Sequence, residues 1–270
     1  MTRTDTLDHY LTDVATAIKN KYDISRTINA SNFDTIINNG RVDAYTLSLG
    51  NKTGLDQQGI DDLRELLGNL KNVALGTFTN GTFTDASSLD EQLPATRQGM
   101  FQGCTNLLTI PNLNYSRATY FYNMFKGCTS ITDASKFNNF DFTDCNCFGM
   151  FESSGITSAP TGMTIATISA GGNSSIKEMF RGCPNLTTIP YIDLSNFHGA
   201  MRYWCDCPSL TDESLNNILL SLSTSDGGSD TTHQLSRIFY DTGSTYASRL
   251  KQLSNYQACI NAGWVDDLTS

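Results

Sequence analysis

Positive charge is scarce in this sequence, and long apolar runs are missing from it. The chain of 270 residues carries 18 Lys and Arg against 27 Asp and Glu, a formal net charge of −9, and the basic residues nowhere gather into a cluster. Binding to phosphate backbones needs a concentrated positive footprint that releases counterions, so this balance argues against a nucleic-acid partner. No segment approaches the roughly 20 consecutive apolar residues of a membrane-spanning helix, which argues against membrane insertion. Residues 1–20 alternate polar and charged positions with single apolar ones. They lack the continuous apolar stretch of a secretory leader, so neither export nor anchoring is expected from the chain itself.

Charge of either sign is limited to 17% and apolar residues to 39%. With Ser, Thr and Asn abundant, that composition favours many short strands and turns and disfavours an all-α fold. The three histidines, His9, His198 and His233, lie in separate regions without a nucleophile signature beside them. No catalytic residue and no cofactor are therefore assigned. The acidic groups Asp61, Asp62, Glu65, Asp90 and Glu91 match neither an EF-hand nor a calcium-binding nonapeptide and read as a solvated face.

What is present is a repeat. An apolar pair, a turn and a cysteine recur as Met100-Phe101-Gln102-Gly103-Cys104, Met124-Phe125-Lys126-Gly127-Cys128 and Met179-Phe180-Arg181-Gly182-Cys183. Weaker copies start at Met150 and at Tyr203, giving steps of 24, 26, 29 and 24 residues. This is the period at which one strand plus one short helix makes a solenoid coil. Met and Phe are expected to close a short helix, with the following Gly at positive φ as its stop. Cys104, Cys128, Cys183 and Cys207 then share one position and should stack as a buried thiol ladder. Downstream of each cysteine, residues 107–111 and 186–190 read as the strand. Leu107, Ile110, Leu186 and Ile189 point inward in this reading, and Thr109, Thr187 and Thr188 line an exposed face.

The predicted fold class is thus an α/β repeat, a leucine-rich-repeat-type solenoid of short strands and short helices. Residues 1–55 form a helical attachment or oligomerisation module, 56–98 an N-terminal capping region, 99–212 the solenoid and 213–270 a helical C-terminal cap. Helical spacing of Leu7, Leu11, Val14 and Ile18 marks a stripe suited to burial between subunits. In the capping region a helix is expected from about Asp56, with Ile60, Leu63, Leu67 and Leu70 on one face. A hairpin is expected over residues 73–84 around Asn80-Gly81. Leu215, Ile218, Leu219 and Leu222 mark a helix after Asp212-Glu213-Ser214, and one or two more helices are expected between His233 and Trp264.

The Cys145/Cys147 and Cys205/Cys207 pairs have the chemistry of a four-thiolate zinc site. They fall on opposite sides of the repeated phrase, so they should face different parts of the coil, and no metal is assigned. Cys205 and Cys259 are read as exposed thiols. Among aromatic residues, Tyr115, Tyr120, Tyr122, Tyr191 and Tyr203 are the candidate binding surface, because tyrosine packs well at interfaces and an Asn/Thr-rich surround supplies adaptable hydrogen bonds.

The Met-Phe-x-x-Cys-x-x-Leu phrase with its following Ile-Pro resembles the BspA-like leucine-rich repeats of bacterial surface proteins and phage tail proteins, over about half the chain. Leu11-Thr12-Asp13-Val14-Ala15-Thr16-Ala17-Ile18-Lys19-Asn20-Lys21 resembles a helical module near the N-termini of phage tail-fibre and baseplate proteins. It departs from that pattern at Lys19 and at Tyr22-Asp23. Residues 214–219 and the closing Ala262-Gly263-Trp264 are similar to segments that follow these repeats in phage tail-type proteins. The resemblance implies a virion structural protein assembled in the host cytoplasm, with other virion proteins and a host surface glycan or protein as partners. It also implies a homo-oligomer, with a trimer the expected form. A bacterial cell-surface adhesin module is the alternative it leaves open.

Overall fold

The computed structural model of the chain describes residues 98–268 apart from 112–114, 116–117, 170–173 and 228–232. It also describes short stretches at 47–48, 52–53, 56–58, 73–74 and 78–79. The expected helices of residues 1–40, with the Leu7, Leu11, Val14 and Ile18 stripe, lie outside the described residues.

Two parallel pairings define the N-terminal part. Strand β1 (Leu47–Ser48) pairs with β3 (Val73–Ala74), and β2 (Lys52–Thr53) pairs with β4 (Phe78–Thr79). Leu47 meets Val73 and Lys52 meets Phe78, both 26 positions on. Val73–Ala74 and Phe78–Thr79 thus reach back to earlier segments; the turn and second arm of the hairpin expected over residues 73–84 lie outside the described residues. Parallel strands need a crossover of a dozen or more residues, and the intervening stretch, helical at Gln57 and Gln58, supplies it. The rest of the helix expected from Asp56, and Asn80-Gly81, lie outside the described residues.

From residue 98 onward the repeated phrase is built differently from the short helix that its sequence suggests. Along 121–128 the backbone donors alternate. Met124, Lys126 and Cys128 donate N–H groups three residues back, to Phe121, Asn123 and Phe125. Phe121, Asn123, Phe125 and Gly127 donate instead to the carbonyls of Asn146, Phe148, Met150 and Glu152 in the next copy, at 2.7–2.8 Å. The same alternation runs from 147–153 to 175–181 and from 176–182 to 200–206. A continuous α-helix is impossible here because two residues per copy are left-handed. Asn123, Gly149 and Glu178 have φ of 53°, 58° and 57°, and Gly127, Ser153 and Gly182 have φ of 71°, 56° and 66°. Each copy is a pair of tight turns whose outward donors are satisfied only by its neighbour.

This alternation stacks like residues on like. Phe101, Phe125, Phe151 and Phe180 are fully buried, with successive ring centroids at 5.6, 5.6 and 5.8 Å and interplanar angles of 3°, 14° and 8°. Each such pair is worth about 0.5–1.5 kcal/mol beyond the area it buries. Leu107, Ile131, Ile156, Leu186 and Leu210 form a second buried column. Thiols form a third: Cys128, Cys183 and Cys207 donate S–H to the carbonyls of Phe101, Phe151 and Phe180, each in the preceding copy, at 3.1, 2.9 and 2.7 Å. Ser154 fills the rung that lacks a cysteine, with its Oγ 3.6 Å from Cys183 Sγ.

The last copy is one residue short. Tyr203 has the left-handed φ of 58° that Glu178 has in the copy before, and the Trp204 carbonyl accepts from Phe180 as the Met179 carbonyl accepts from Phe151. Trp204 therefore occupies the methionine column and Cys205 the phenylalanine column. The alignment of Trp204 with Phe and of Tyr203 with Met is corrected by this register.

Three helices follow. Helix α1 (Asp212–Thr224) buries Leu215, Ile218, Leu219 and Leu222 as its periodicity predicts. Thr211 caps it by accepting the Ser214 N–H. Helices α2 (Gly243–Leu250) and α3 (Tyr256–Asn261) come next. Trp264 Nε1 donates to the Leu222 carbonyl at 2.9 Å, a second donor beside the Ser225 N–H at the end of α1. The inner face of α1 carries hydroxyls beside the edge donors of the copy that begins at Met179. Ser214, Ser221 and Thr224 accept from the backbone N–H groups of Ile189, Ile192 and Leu194 at 3.0, 2.9 and 3.0 Å. Asn217 donates to the Ile189 carbonyl. The exposed edge that parallel stacking would leave is thereby covered.

Candidate binding surface

Stacking of equivalent positions turns single residues into columns, and one column carries the side chains best suited to outside contact. Gly99, Asn123, Gly149 and Glu178 donate their N–H groups to the carbonyls of Tyr122, Phe148, Lys177 and Arg202. Those four acceptors therefore share one register, three residues before Phe125, Phe151, Phe180 and Cys205 in their copies. All four are half-buried. Tyr122 and Phe148 stack at 4.7 Å and 13°, and Lys177 Nζ lies 5.2 Å from the Phe148 centroid. Phe148 thus meets both the Tyr122 ring and the Lys177 ammonium.

At the C-terminal end of this strip the Tyr203 ring takes the Arg181 and Arg202 guanidinium groups at 5.1 and 5.9 Å and Tyr240 at 5.2 Å. Tyr240 is 64% exposed. Arg181 is held by Asp241 at 2.7 Å, and that carboxylate keeps the guanidinium above its usual pKa. Lys177 lies 3.8 Å from Glu178, and Lys126 pairs with Glu152 at 2.6 Å on an adjacent column.

A second surface column is made of hydroxyls. Thr157, Thr187 and Thr211 each donate Oγ1–H to the carbonyl of the preceding rung, Thr132, Thr157 and Thr187, all at 3.2 Å. Leu108, 56% exposed, stands at the head of this column. Thr109, Thr187 and Thr188 are exposed, while Leu107, Leu186 and Ile189 are buried and Ile110 is partly buried against the core.

Of the five tyrosines singled out from the sequence, Tyr122 belongs to the aromatic strip and Tyr203 packs at its end, while Tyr120 lies in the neighbouring register of Asn146. Tyr120 is 46% exposed and its backbone bridges to Asn146 in the next copy. Tyr191 is 43% exposed but follows Pro190, on a different part of its copy. Tyr115 is a correction. It is buried, its ring packs 5.0 Å from Phe137, and its hydroxyl donates to the Pro111 carbonyl at 2.7 Å. Desolvation pushes that phenol far above its usual pKa. Phe148, Lys177, Arg202, Arg181 and Tyr240 were missed. Phe148 and Lys177 could have been found by counting back three places from Phe151 and Phe180, whereas the same count from Trp204 lands on Met201, so Arg202 joins the column only through the one-residue slip of the last copy.

The cysteines are all free thiols and all buried. Cys205 and Cys259, expected at the surface, are fully enclosed, which corrects that expectation. Cys205 sits inside because the short last copy rotates it into the core column. Burial pushes Cys145 and Cys259 up to about 12 and raises Cys128, Cys147, Cys205 and Cys207 as well. Asp206, the one buried carboxylate among the described residues, accepts from the Asp241 and Thr242 N–H groups and from the Thr242 hydroxyl. Desolvation still raises it, with those three donors opposing.

His198 Nδ1 lies 2.7 Å from Asp226 with both side chains exposed, and the His233 ring meets Trp264 at 5.4 Å. Among the described residues no three His, Cys, Asp or Glu side chains come together as a metal site requires. No helix among the described residues is long and apolar enough to cross a membrane. Comparison with protein-family models, with curated proteins and with solved structures yields no match to this chain.

Proposed function

We propose that the chain is a non-enzymatic recognition protein of leucine-rich-repeat solenoid type, serving as a structural component of a phage virion in a tail fibre, baseplate or head fibre. The observation that supports a recognition role is the in-register aromatic and cationic strip of Tyr122, Phe148, Lys177 and Arg202. Its four members come from four successive copies and lie at one surface register. Interfaces draw on Tyr and Arg in this way, because rigid rings and forked donors give large contact area for little lost conformational freedom. The similarity of residues 11–21 to tail-fibre modules supports the virion setting. Residues 1–40 serve in this reading to attach and oligomerise the chain, a trimer being the expected form, and the stacked copies present the recognition face to a host surface glycan or protein.

Mass spectrometry of purified particles, with cryo-EM of the same particles, tests the setting. Stoichiometric copies at a symmetric tail or capsid position are expected. A chain absent from particles and fractionating with the cell envelope would overturn the virion reading and favour a bacterial surface adhesin.

A further inference from the structure

We infer that Cys183 and Cys207 are a disulfide-forming pair, closed by hydroperoxides into a covalent staple between the last two copies of the repeat. The two residues stand on adjacent rungs of the thiol column. Cys183 donates S–H to the Phe151 carbonyl and Cys207 to the Phe180 carbonyl, at 2.9 and 2.7 Å, and those two phenylalanines are themselves stacked rung on rung. Neighbouring rungs of a parallel pairing are about 4.8 Å apart, inside the span of roughly 4.4–6.8 Å that a disulfide bridges between Cα atoms. Side-chain rotation, without a shift of backbone, can therefore join the two sulfurs.

The rest of the column favours this pair. Ser154 takes the rung before Cys183, with its Oγ 3.6 Å from that sulfur, and so separates Cys183 and Cys207 from Cys128 and Cys104. The Cys183 and Cys207 thiols hydrogen-bond each other, whereas the Cys128 sulfur is bonded by the backbone of Cys104. Burial works to raise the Cys183 thiol, but donation from the Cys207 thiol and the Ser154 hydroxyl takes it below its usual value. Cys207 is pushed up, by burial first and then by that same contact. Cys183 is thus the sulfur that attacks and Cys207 the one that resolves.

In the first step the Cys183 thiolate attacks one oxygen of the hydroperoxide and the O–O bond breaks. The displaced oxygen takes up the proton that Cys183 gave up and leaves as water or an alcohol, and Cys183 becomes a sulfenic acid. The Cys207 sulfur then attacks Cys183, the S–O bond breaks, and the hydroxyl leaves as water with the Cys207 proton as the S–S bond forms. Two thiols lose two electrons and two protons, and the peroxide gains both. Both sulfurs are fully enclosed, so the reaction waits on local opening and admits a small oxidant before a bulky one.

The test incubates the purified, reduced full chain with hydrogen peroxide, alkylates the remaining thiols after denaturation and maps the peptides by mass spectrometry. A single Cys183–Cys207 disulfide is expected. Tm should rise by about 5 °C or more, because the link constrains the unfolded chain between the two positions, and a thiol reductant should reverse the rise. Cys207→Ser should stop the reaction at a Cys183 sulfenic acid that dimedone traps, and Cys183→Ser should leave Cys207 reduced. Serine already fills one rung of this column at Ser154, so both variants should keep the native circular dichroism spectrum. The disulfide map of the unaltered chain decides the pairing even where a variant misfolds. No disulfide, a Cys205–Cys207 bond, a Cys104–Cys128 bond in equal yield, or dimedone on Cys207 in the Cys183→Ser chain would each overturn the inference.

Discussion

At the scale of single residues, the closest contact between copies explains a glycine that repeats nowhere else in the phrase. Gly155 donates to the Cys128 carbonyl, and a Cβ at that position would fall 2.0 Å from the Thr129 carbonyl oxygen, which is backbone and cannot move aside. Gly127 differs in kind: its Cβ would have room, but its φ of +71° is left-handed. Gly155→Ala should therefore cost about 3 kcal/mol in urea unfolding, at the upper end for overpacking. Gly127→Ala should cost about 1–2 kcal/mol, the left-handed penalty alone. Equal losses would show that the two copies do not approach as closely as described.

The thiols give a second prediction at this scale. All eight cysteines are buried, so a thiol reagent at pH 8 should label none in the native chain and eight once it is denatured. Folding raises Cys145 from an ordinary value of 9.0 to about 12, so its protonated form is favoured by the native state. The contribution is fully present below about pH 9 and is lost as pH rises towards 12. Tm should fall over that interval, and Cys145→Ala should reduce the fall. A parallel decline in both chains would remove Cys145 as its cause.

At the scale of elements, α1 stabilises the copy that begins at Met179 through hydroxyls as well as through leucines. Ser221 is fully buried and accepts the Ile192 N–H while donating to its own helix at Asn217. Ser221→Ala leaves a buried backbone donor without a partner and should cost about 1–3 kcal/mol. Ser223, whose hydroxyl donates only to Leu220 within the helix, should tolerate alanine with little change. Urea unfolding of the two variants side by side checks the contrast. The leucine stripe of this helix was legible from spacing. The edge-pairing role of Ser214, Ser221 and Thr224 was not, because a serine on a helix reads as solvent-facing until the strand edge beside it is known.

At the scale of the whole molecule, stacking makes the two ends unequal to the middle. Residues 189–194 use α1 to satisfy their edge donors, so a chain ending at residue 211 should expose both that edge and the buried columns and aggregate, as light scattering would show. A soluble monomeric product would mean that the helix is dispensable. At the other end, if the proposed oligomer forms through residues 1–40, removing them should leave a soluble monomer by size-exclusion chromatography with light scattering. An unchanged oligomer would place the self-association elsewhere. The parallel pairs at 47–53 and 73–79, offset by 26 residues, match the step of the later copies and extend this stacked pairing upstream of the recognisable phrase.

Sequence alone determined which residues would share a column, because Met, Phe, Cys and Leu recur at a nearly constant step and each was found inside. It also determined α1, whose apolar spacing is strongly helical. Tertiary structure alone decided the rest. Whether the phrase is a helix or a pair of turns depends on where alternate N–H groups find acceptors, and those acceptors lie 23 to 28 residues away in the next copy. The same non-local bonds set the one-residue slip that takes Trp204 and Cys205 into the core. Tyr115 turns inward because the Pro111 carbonyl and the Phe137 ring meet it there. The outward strip exists for that reason too: four unlike residues, Tyr, Phe, Lys and Arg, become one surface only when hydrogen bonds between copies bring them to the same register.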